Sequence, residues 1–183
     1  MPHFRTNEPK KYDVIIVGAG PAGCSCAFEL REHGKSVLLL DKSDFPRHKP
    51  CAGGITKKAL DQLPIDISHL IQHCSYEMVF KFDDHRAVEL QHDLGSCVMV
   101  IREEFDHYFF NETLKQDVDF EKIKKIENIE YDATKVRLYT NDTEYECSYL
   151  IGADGANSIV RKLTTDLTYD CLLYTSPSPR DRG

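Results

Sequence analysis

Residues 12–41 run as strand, glycine turn, helix, second strand and terminal acid, and that order leaves few folds open. Val14-Ile-Ile-Val17 is an unbroken apolar, β-branched run, the pattern of a parallel strand buried on both faces. Gly18-Ala-Gly-Pro-Ala-Gly23 fits G-x-G-x-x-G. Gly18 permits the tight turn, Gly20 lets a pyrophosphate approach the backbone, and Gly23 lets helix and strand pack closely. Pro21 suits a first helical turn, whose N–H groups have no partner in the helix. That helix start offers free N–H groups and a positive dipole end to phosphate. Ala22, Cys26, Ala27 and Leu30 are expected to share one helical face, and Gly34 to end the helix in a left-handed cap. Asp41 closes the second strand, Ser36-Val-Leu-Leu-Leu-Asp41, where a carboxylate can accept the ribose hydroxyls of an adenosine. Glycine turns are common, but here every part is in register. This motif alone does not separate FAD from NAD.

Downstream, 118–130, 135–140 and 143–151 read as a three-stranded meander, with Asn141-Asp142 as a turn. Strands are also expected over 76–82, 87–90 and 96–102. A short helix is expected over 56–63, and 65–73 could form another. Residues 103–116 carry Phe105, Tyr108, Phe109 and Leu114 at helical spacing, with Glu103 and Glu104 favouring the first-turn dipole. A last helix starts within 156–162.

Tyr149-Leu-Ile-Gly-Ala-Asp-Gly-Ala-Asn-Ser-Ile-Val-Arg-Lys162 is a strand end, an Asp-Gly turn and a helix start. With the glycine motif, it resembles the flavoprotein monooxygenase and reductase superfamily typified by p-hydroxybenzoate hydroxylase. Asp154, Gly155 and Arg161 match that superfamily's Asp-Gly motif, which lies beside the FAD pyrophosphate and ribityl chain. Asp41-Lys-Ser-Asp-Phe-Pro-Arg-His-Lys-Pro-Cys-Ala-Gly-Gly-Ile55 narrows the resemblance to the geranylgeranyl reductase family. Arg102, in Ile101-Arg-Glu-Glu-Phe-Asp106, matches an arginine that helps hold FAD there. Cys51 matches a cysteine near that family's flavin and substrate cavity, although Cys51-Ala-Gly-Gly departs from the frequent Cys-Gly-Gly-Gly.

The resemblance implies an α/β, Rossmann-like FAD-binding domain, a βαβ unit plus β-meander, with the beginning of an inserted β-rich substrate domain. The expected divisions are a polar lead over 1–11, the first part of the FAD-binding domain over 12–75, and substrate-domain strands over 76–102. The FAD-binding domain then resumes over 103–170. Candidate cofactor-binding residues are Gly18, Gly20, Ala22, Gly23, Asp41, Lys42, Arg102, Asp154 and Gly155, and Cys51 is the candidate catalytic residue. FAD is the implied cofactor, with NAD(P)H as its electron donor. The implied reaction is hydride transfer from reduced FAD to an alkene of an isoprenoid substrate. An FAD monooxygenase acting on an aromatic or polyprenyl substrate is the second reading, and a truncated FAD-binding fragment without activity is the third.

The segment 171–181, Cys-Leu-Leu-Tyr-Thr-Ser-Pro-Ser-Pro-Arg-Asp, back-translates to a transposon-end adapter used in sequencing libraries. Residues 171–183 are therefore set aside from fold reasoning. The third FAD motif and the aromatic substrate motif of the resembled family do not occur, so the chain alone is expected to be an incompetent enzyme with little bound flavin.

A net charge of −7 argues against a nucleic-acid partner, and the expected partner is a small molecule. The longest apolar run is too short for a membrane span, which leaves peripheral membrane contact open. Residues 1–11 lack the apolar core of a signal peptide, so the expected compartment is the cytoplasm. Cys24, Cys26, Cys51, Cys74, Cys97 and Cys147 lack metal-ligand spacing, and most are expected to be buried small hydrophobes. His69 and His73 could share a helical face as metal ligands, but no accompanying Glu pattern appears, and no metal site is expected. His48 is expected as a solvated loop residue.

Overall fold

Val14, Ile15, Ile16 and Val17 are all buried, and the strand that carries them, β1 (Lys10–Val17), sits in the middle of a six-stranded sheet. The computed structural model describes residues 8–83, 86–91, 95–141 and 143–165. Most of the polar lead, Asp142 of the expected turn and the segment 171–183 lie outside the described residues.

Helix α1 (Pro21–Glu32) leads to β2 (Val37–Asp41), which pairs parallel with β1. Gly34, at φ +70°, follows the helix and donates its N–H to Arg31 O at 2.9 Å. The buried face of α1 is Gly23, Cys24, Ala27 and Phe28, whereas Ala22 is exposed and Cys26 and Leu30 are half-buried. The expected face is thus rotated. Gly23 must lie against the turn, because a Cβ there would come 1.8 Å from Gly18 O, and that contact points Ala22 outward.

The chain then makes β3 (Gly54–Thr56) and a four-residue helix, α2 (Lys57–Leu60), capped by the Thr56 hydroxyl. One 3-10 turn, Ser68–Leu70, leads directly into β4 (Ile71–Ser75). No helix therefore joins His69 to His73. His69 instead meets Tyr108 edge-on, with ring centroids 4.6 Å apart. β5 (Glu77–Asp83) and β6 (Arg86–Gln91) form a separate antiparallel pair with Val79, Phe80 and Val88 exposed. β7 (Cys97–Val100) lies between β3 and β4 in a three-stranded sheet.

Helix α3 (Arg102–Leu114) buries Phe105 and Phe109 of the expected face together with Phe110, whereas Tyr108 and Leu114 are half-buried. The expected first meander strand divides in two. β8 (Asp119–Lys122) pairs parallel with β2, while β9 (Ile126–Tyr131) pairs antiparallel with β10 (Val136–Thr140) at the opposite edge. Hydrophobic alternation alone does not reveal the crossing between those edges. The Ile123 N–H, bonded to Asp41 O at 2.9 Å, marks where pairing with β2 stops.

β11 (Glu144–Gly152) returns beside β1 in parallel, and α4 (Ile159–Thr164) follows. The sheet order is β8-β2-β1-β11-β10-β9. Val14, Ile16, Val37 and Leu39 pack against α1 and α3 on one face. Ile15, Val17, Leu38 and Leu40 pack against Ile126, Ile129, Leu138, Tyr145 and Val160 on the other. Both faces of β1 and β2 are covered, as their unbroken apolar runs require.

Leu39 is fully buried in the helix-facing cluster. Leu39→Ala is expected to cost about 2–5 kcal/mol of stability, read as a lower urea midpoint. A loss under about 0.5 kcal/mol, the surface range, would mean that α1 and α3 do not close over that face.

Candidate functional site

The parallel register decides where the motifs meet. Val17 lies opposite both Leu40 of β2 and Gly152 of β11, so three chain segments leave the sheet at one end. The helix after β1 leads to β2 on one side, while β11 occupies the other. That is the crevice at the carboxyl ends of strands where open α/β sheets bind ligands.

Gly18, at φ +108°, turns between these neighbours. Its N–H donates to Leu40 O at 2.7 Å, and the Ala153 N–H donates to Val17 O at 2.7 Å. A Cβ on Gly18 would lie 2.4 Å from Ala153 O, so only glycine allows the two motif loops to touch. Gly20 precedes Pro21 at the N-terminus of α1.

Asp41 reaches back to the glycine loop. Its Oδ2 accepts from the Ala19 N–H at 2.8 Å, and its Oδ1 accepts from the Ser43 N–H at 2.8 Å. A carboxylate has further lone pairs, so these bonds leave capacity for a ligand hydroxyl. Lys42, next in sequence, is exposed.

Asp154 has two distinct oxygens. Oδ2 caps α4, accepting from the Ile159 N–H at 2.6 Å and the Val160 N–H at 3.3 Å. Oδ1 is buried without a hydrogen-bond partner. Gly155, at φ +83°, follows in open space. Arg161 donates from Nη2 to Ala156 O at 3.0 Å, which closes the same turn.

Arg102 begins α3, and its Nε and Nη2 donate to the two oxygens of Asp106 at 2.8 and 3.0 Å. Arg47 comes to the same carboxylate from the loop after β2, with Nη2 at 3.1 Å from Oδ2. Its guanidinium lies over the Phe45 ring at 5.3 Å. A Cβ on Gly20 would sit 3.3 Å from Arg47 Nη2, so this cation covers the start of α1. Sequence reading assigned neither Arg47 nor Asp106 a role. The available signal was Arg102 and Asp106 at i, i+4, a spacing that pairs opposite charges on a helix.

Cys51 is exposed, and its Sγ accepts from the Gly53 N–H at 3.4 Å. That bond and the Arg102 guanidinium pull its thiol below the usual cysteine range. Gly53 holds φ +80°, where a Cβ would meet Val100 O at 2.0 Å. By contrast, burial pushes Cys24 and Cys147 up to about 11. The expectation of mostly buried cysteines is corrected, since Cys26, Cys74 and Cys97 are only half-buried. His48 is exposed. Among the described residues, no three His, Cys, Asp or Glu side chains cluster as metal ligands. No helix among them is long and apolar enough to cross a membrane.

The FAD binding domain family matches residues 11–166. An uncharacterized protein of Methanosarcina barkeri is 35% identical over 153 residues, covering 84% of this chain and 40% of that protein. Geranylgeranyl diphosphate reductase of Rhodobacter capsulatus is 28% identical over 156 residues, covering 82% and 39%. This chain therefore spans about two fifths of the length of either relative. A geranylgeranyl bacteriochlorophyll reductase-like structure from Thermoplasma acidophilum superposes with a TM-score of 0.66 at 22% identity, over 80% of this chain and 40% of that one. The p-nitrophenol 4-monooxygenase of Pseudomonas putida gives 0.69 at 20% identity, over 88% and 45%. At these identities the likeness establishes the fold.

Removing a donor from a thiolate raises its pKa. In Arg102→Gln, the pH midpoint for Cys51 alkylation is therefore expected to move upward, followed by peptide mass spectrometry against iodoacetamide. An unchanged or lower midpoint would remove Arg102 as a cause of the depressed thiol.

Proposed function

Since the chain belongs to the FAD binding domain family, we propose that it is the FAD-holding part of a longer oxidoreductase that reduces alkene bonds of an isoprenoid substrate. The observation that carries the cofactor reading is that Arg47 lies over the α1 N-terminus while sharing the Asp106 carboxylate with Arg102. A pyrophosphate offers only acceptors. This site offers helix N–H groups and two guanidiniums, one of them with a buried, unpartnered Nε. The donor set fits the group.

In this reading Gly18, Gly20, Ala22 and Gly23 supply the loop and helix start beneath the pyrophosphate. Asp41 accepts the adenosine ribose hydroxyls, with Lys42 beside it. Asp154 turns its unpartnered Oδ1 to a cofactor hydroxyl, and Gly155 leaves room for the approach. Arg102 bears on the phosphates and also keeps Cys51 toward thiolate. Cys51, beside Arg102, is assigned the reacting end of the site. FAD, once bound, supplies the hydride chemistry, and NAD(P)H or another donor reloads it. The protein binds, orients and excludes water. The isoprenoid substrate is supported by the likeness to a geranylgeranyl diphosphate reductase.

A second reading, FAD-dependent hydroxylation, is favoured by the comparable superposition on p-nitrophenol 4-monooxygenase. One fold hosts both chemistries, so the fold does not choose between them. Stopped-flow mixing of the reduced full-length protein does. Anaerobic reoxidation by a geranylgeranyl substrate supports the reductase. Reoxidation that requires oxygen, with incorporation of its label, supports the hydroxylase and overturns the reductase.

Asp41→Ala removes charge-assisted hydrogen bonds worth about 1.5–3 kcal/mol. FAD affinity of the full-length protein is expected to fall about ten- to hundredfold, by titration of flavin fluorescence. Unchanged affinity, or tighter binding of NAD than of FAD, would overturn the cofactor assignment.

A further inference from the structure

Asp106 is only 1% exposed, yet it carries a carboxylate. It lies on α3 one turn beyond Arg102, and both of its oxygens are engaged. Oδ1 accepts from Arg102 Nε at 2.8 Å, while Oδ2 accepts from Arg102 Nη2 at 3.0 Å and lies 3.1 Å from Arg47 Nη2. Two parallel bonds fix the plane of the Arg102 guanidinium as well as its distance. Arg47 is held on a second side by Phe45, which stacks on Phe110 of the same helix at 4.4 Å. One carboxylate thus joins a cation from the loop after β2 to a cation from α3. Arg47 Nη2 thereby lies 3.3 Å from where a Gly20 Cβ would stand, while Asp41 accepts from the neighbouring Ala19 N–H.

We propose that Asp106 is the positioning residue of the pyrophosphate site, the buried carboxylate that sets Arg47 and Arg102 in place for the phosphates of FAD. The inference rests on the FAD reading above. Charge alone gives the opposite expectation. If Asp106 merely subtracted positive potential, its neutralisation would tighten an anionic ligand. If it presets the two arginines, neutralisation loosens FAD, because the side chains must then be ordered during binding. Asp106 itself is closed in by its own partners, so it acts through the two arginines.

The test uses full-length apoprotein carrying Asp106→Asn or Asp106→Glu, titrated with FAD by flavin fluorescence, beside thermal melts without FAD. Asparagine keeps the shape and removes the charge, while glutamate keeps the charge and displaces it by one methylene. Each is expected to melt cooperatively and to bind FAD about tenfold more weakly, or about 1.4 kcal/mol. The same substitutions are made in an Arg47→Met background. There their cost is expected to shrink to about threefold, because one of the two positioned groups is gone. Equal cost in both backgrounds would make Asp106 a general structural residue and overturn the proposal. So would FAD binding as tight as, or tighter than, wild type in a folded Asp106 variant. Failure of both single variants to fold would also overturn it. If wild-type apoprotein takes up no FAD, the cofactor reading fails and this inference with it. Wild-type binding with an indifferent Asp106 variant defeats this inference alone.

Discussion

The approach of α1 to the turn beneath it is the contact on which the other placements depend. A Cβ on Gly23 would stand 1.8 Å from Gly18 O, so the helix rests on the loop backbone itself. This proximity aims the helix N-terminus across the strand ends and turns Ala27 and Phe28 into the core. Phe28 then meets Phe109 of α3, with ring centroids 5.9 Å apart. α3 in turn carries Arg102 and Asp106 toward the same end of the sheet. A side chain at Gly23 would therefore disturb a helix position, a core and a charge cluster together.

The charge cluster follows from an elementary cost. A carboxylate taken out of water is strongly unfavourable unless it is paired and hydrogen-bonded. Asp106 meets that demand with arginines from two segments, and Arg102 is shared further with Cys51. The same field that stabilises a buried anion thus favours an exposed thiolate. Cys24 and Cys147 lie in apolar surroundings, where burial raises their thiols instead. Identical side chains are thus shifted in opposite directions by their surroundings.

A reductase-like structure and a monooxygenase share this fold, and in such proteins the cofactor carries the chemistry. The exposed apolar side chains of β5 and β6 belong to a separate two-stranded sheet.

The sequence by itself determined the βαβ unit, the glycine turn and the acid at its end, because each depends on neighbours within one supersecondary element. Helix α3 and its aromatic core were legible for the same reason, through spacing of three and four residues. The Asp-Gly turn was legible as a motif, though not the helix cap made by Asp154 Oδ2. Tertiary structure decided the rest. Residues 118–130 read as one strand, but β8 and β9 lie on opposite edges, since pairing partners are chosen in space and alternation records only burial. The rotated face of α1 came from a backbone contact that periodicity does not encode. Arg47 and Asp106 lie on different elements far apart in sequence, and only the fold brings their charges within 3.1 Å. Local spacing fixes local geometry, whereas a buried ion pair requires the solvent exclusion that only the closed fold provides.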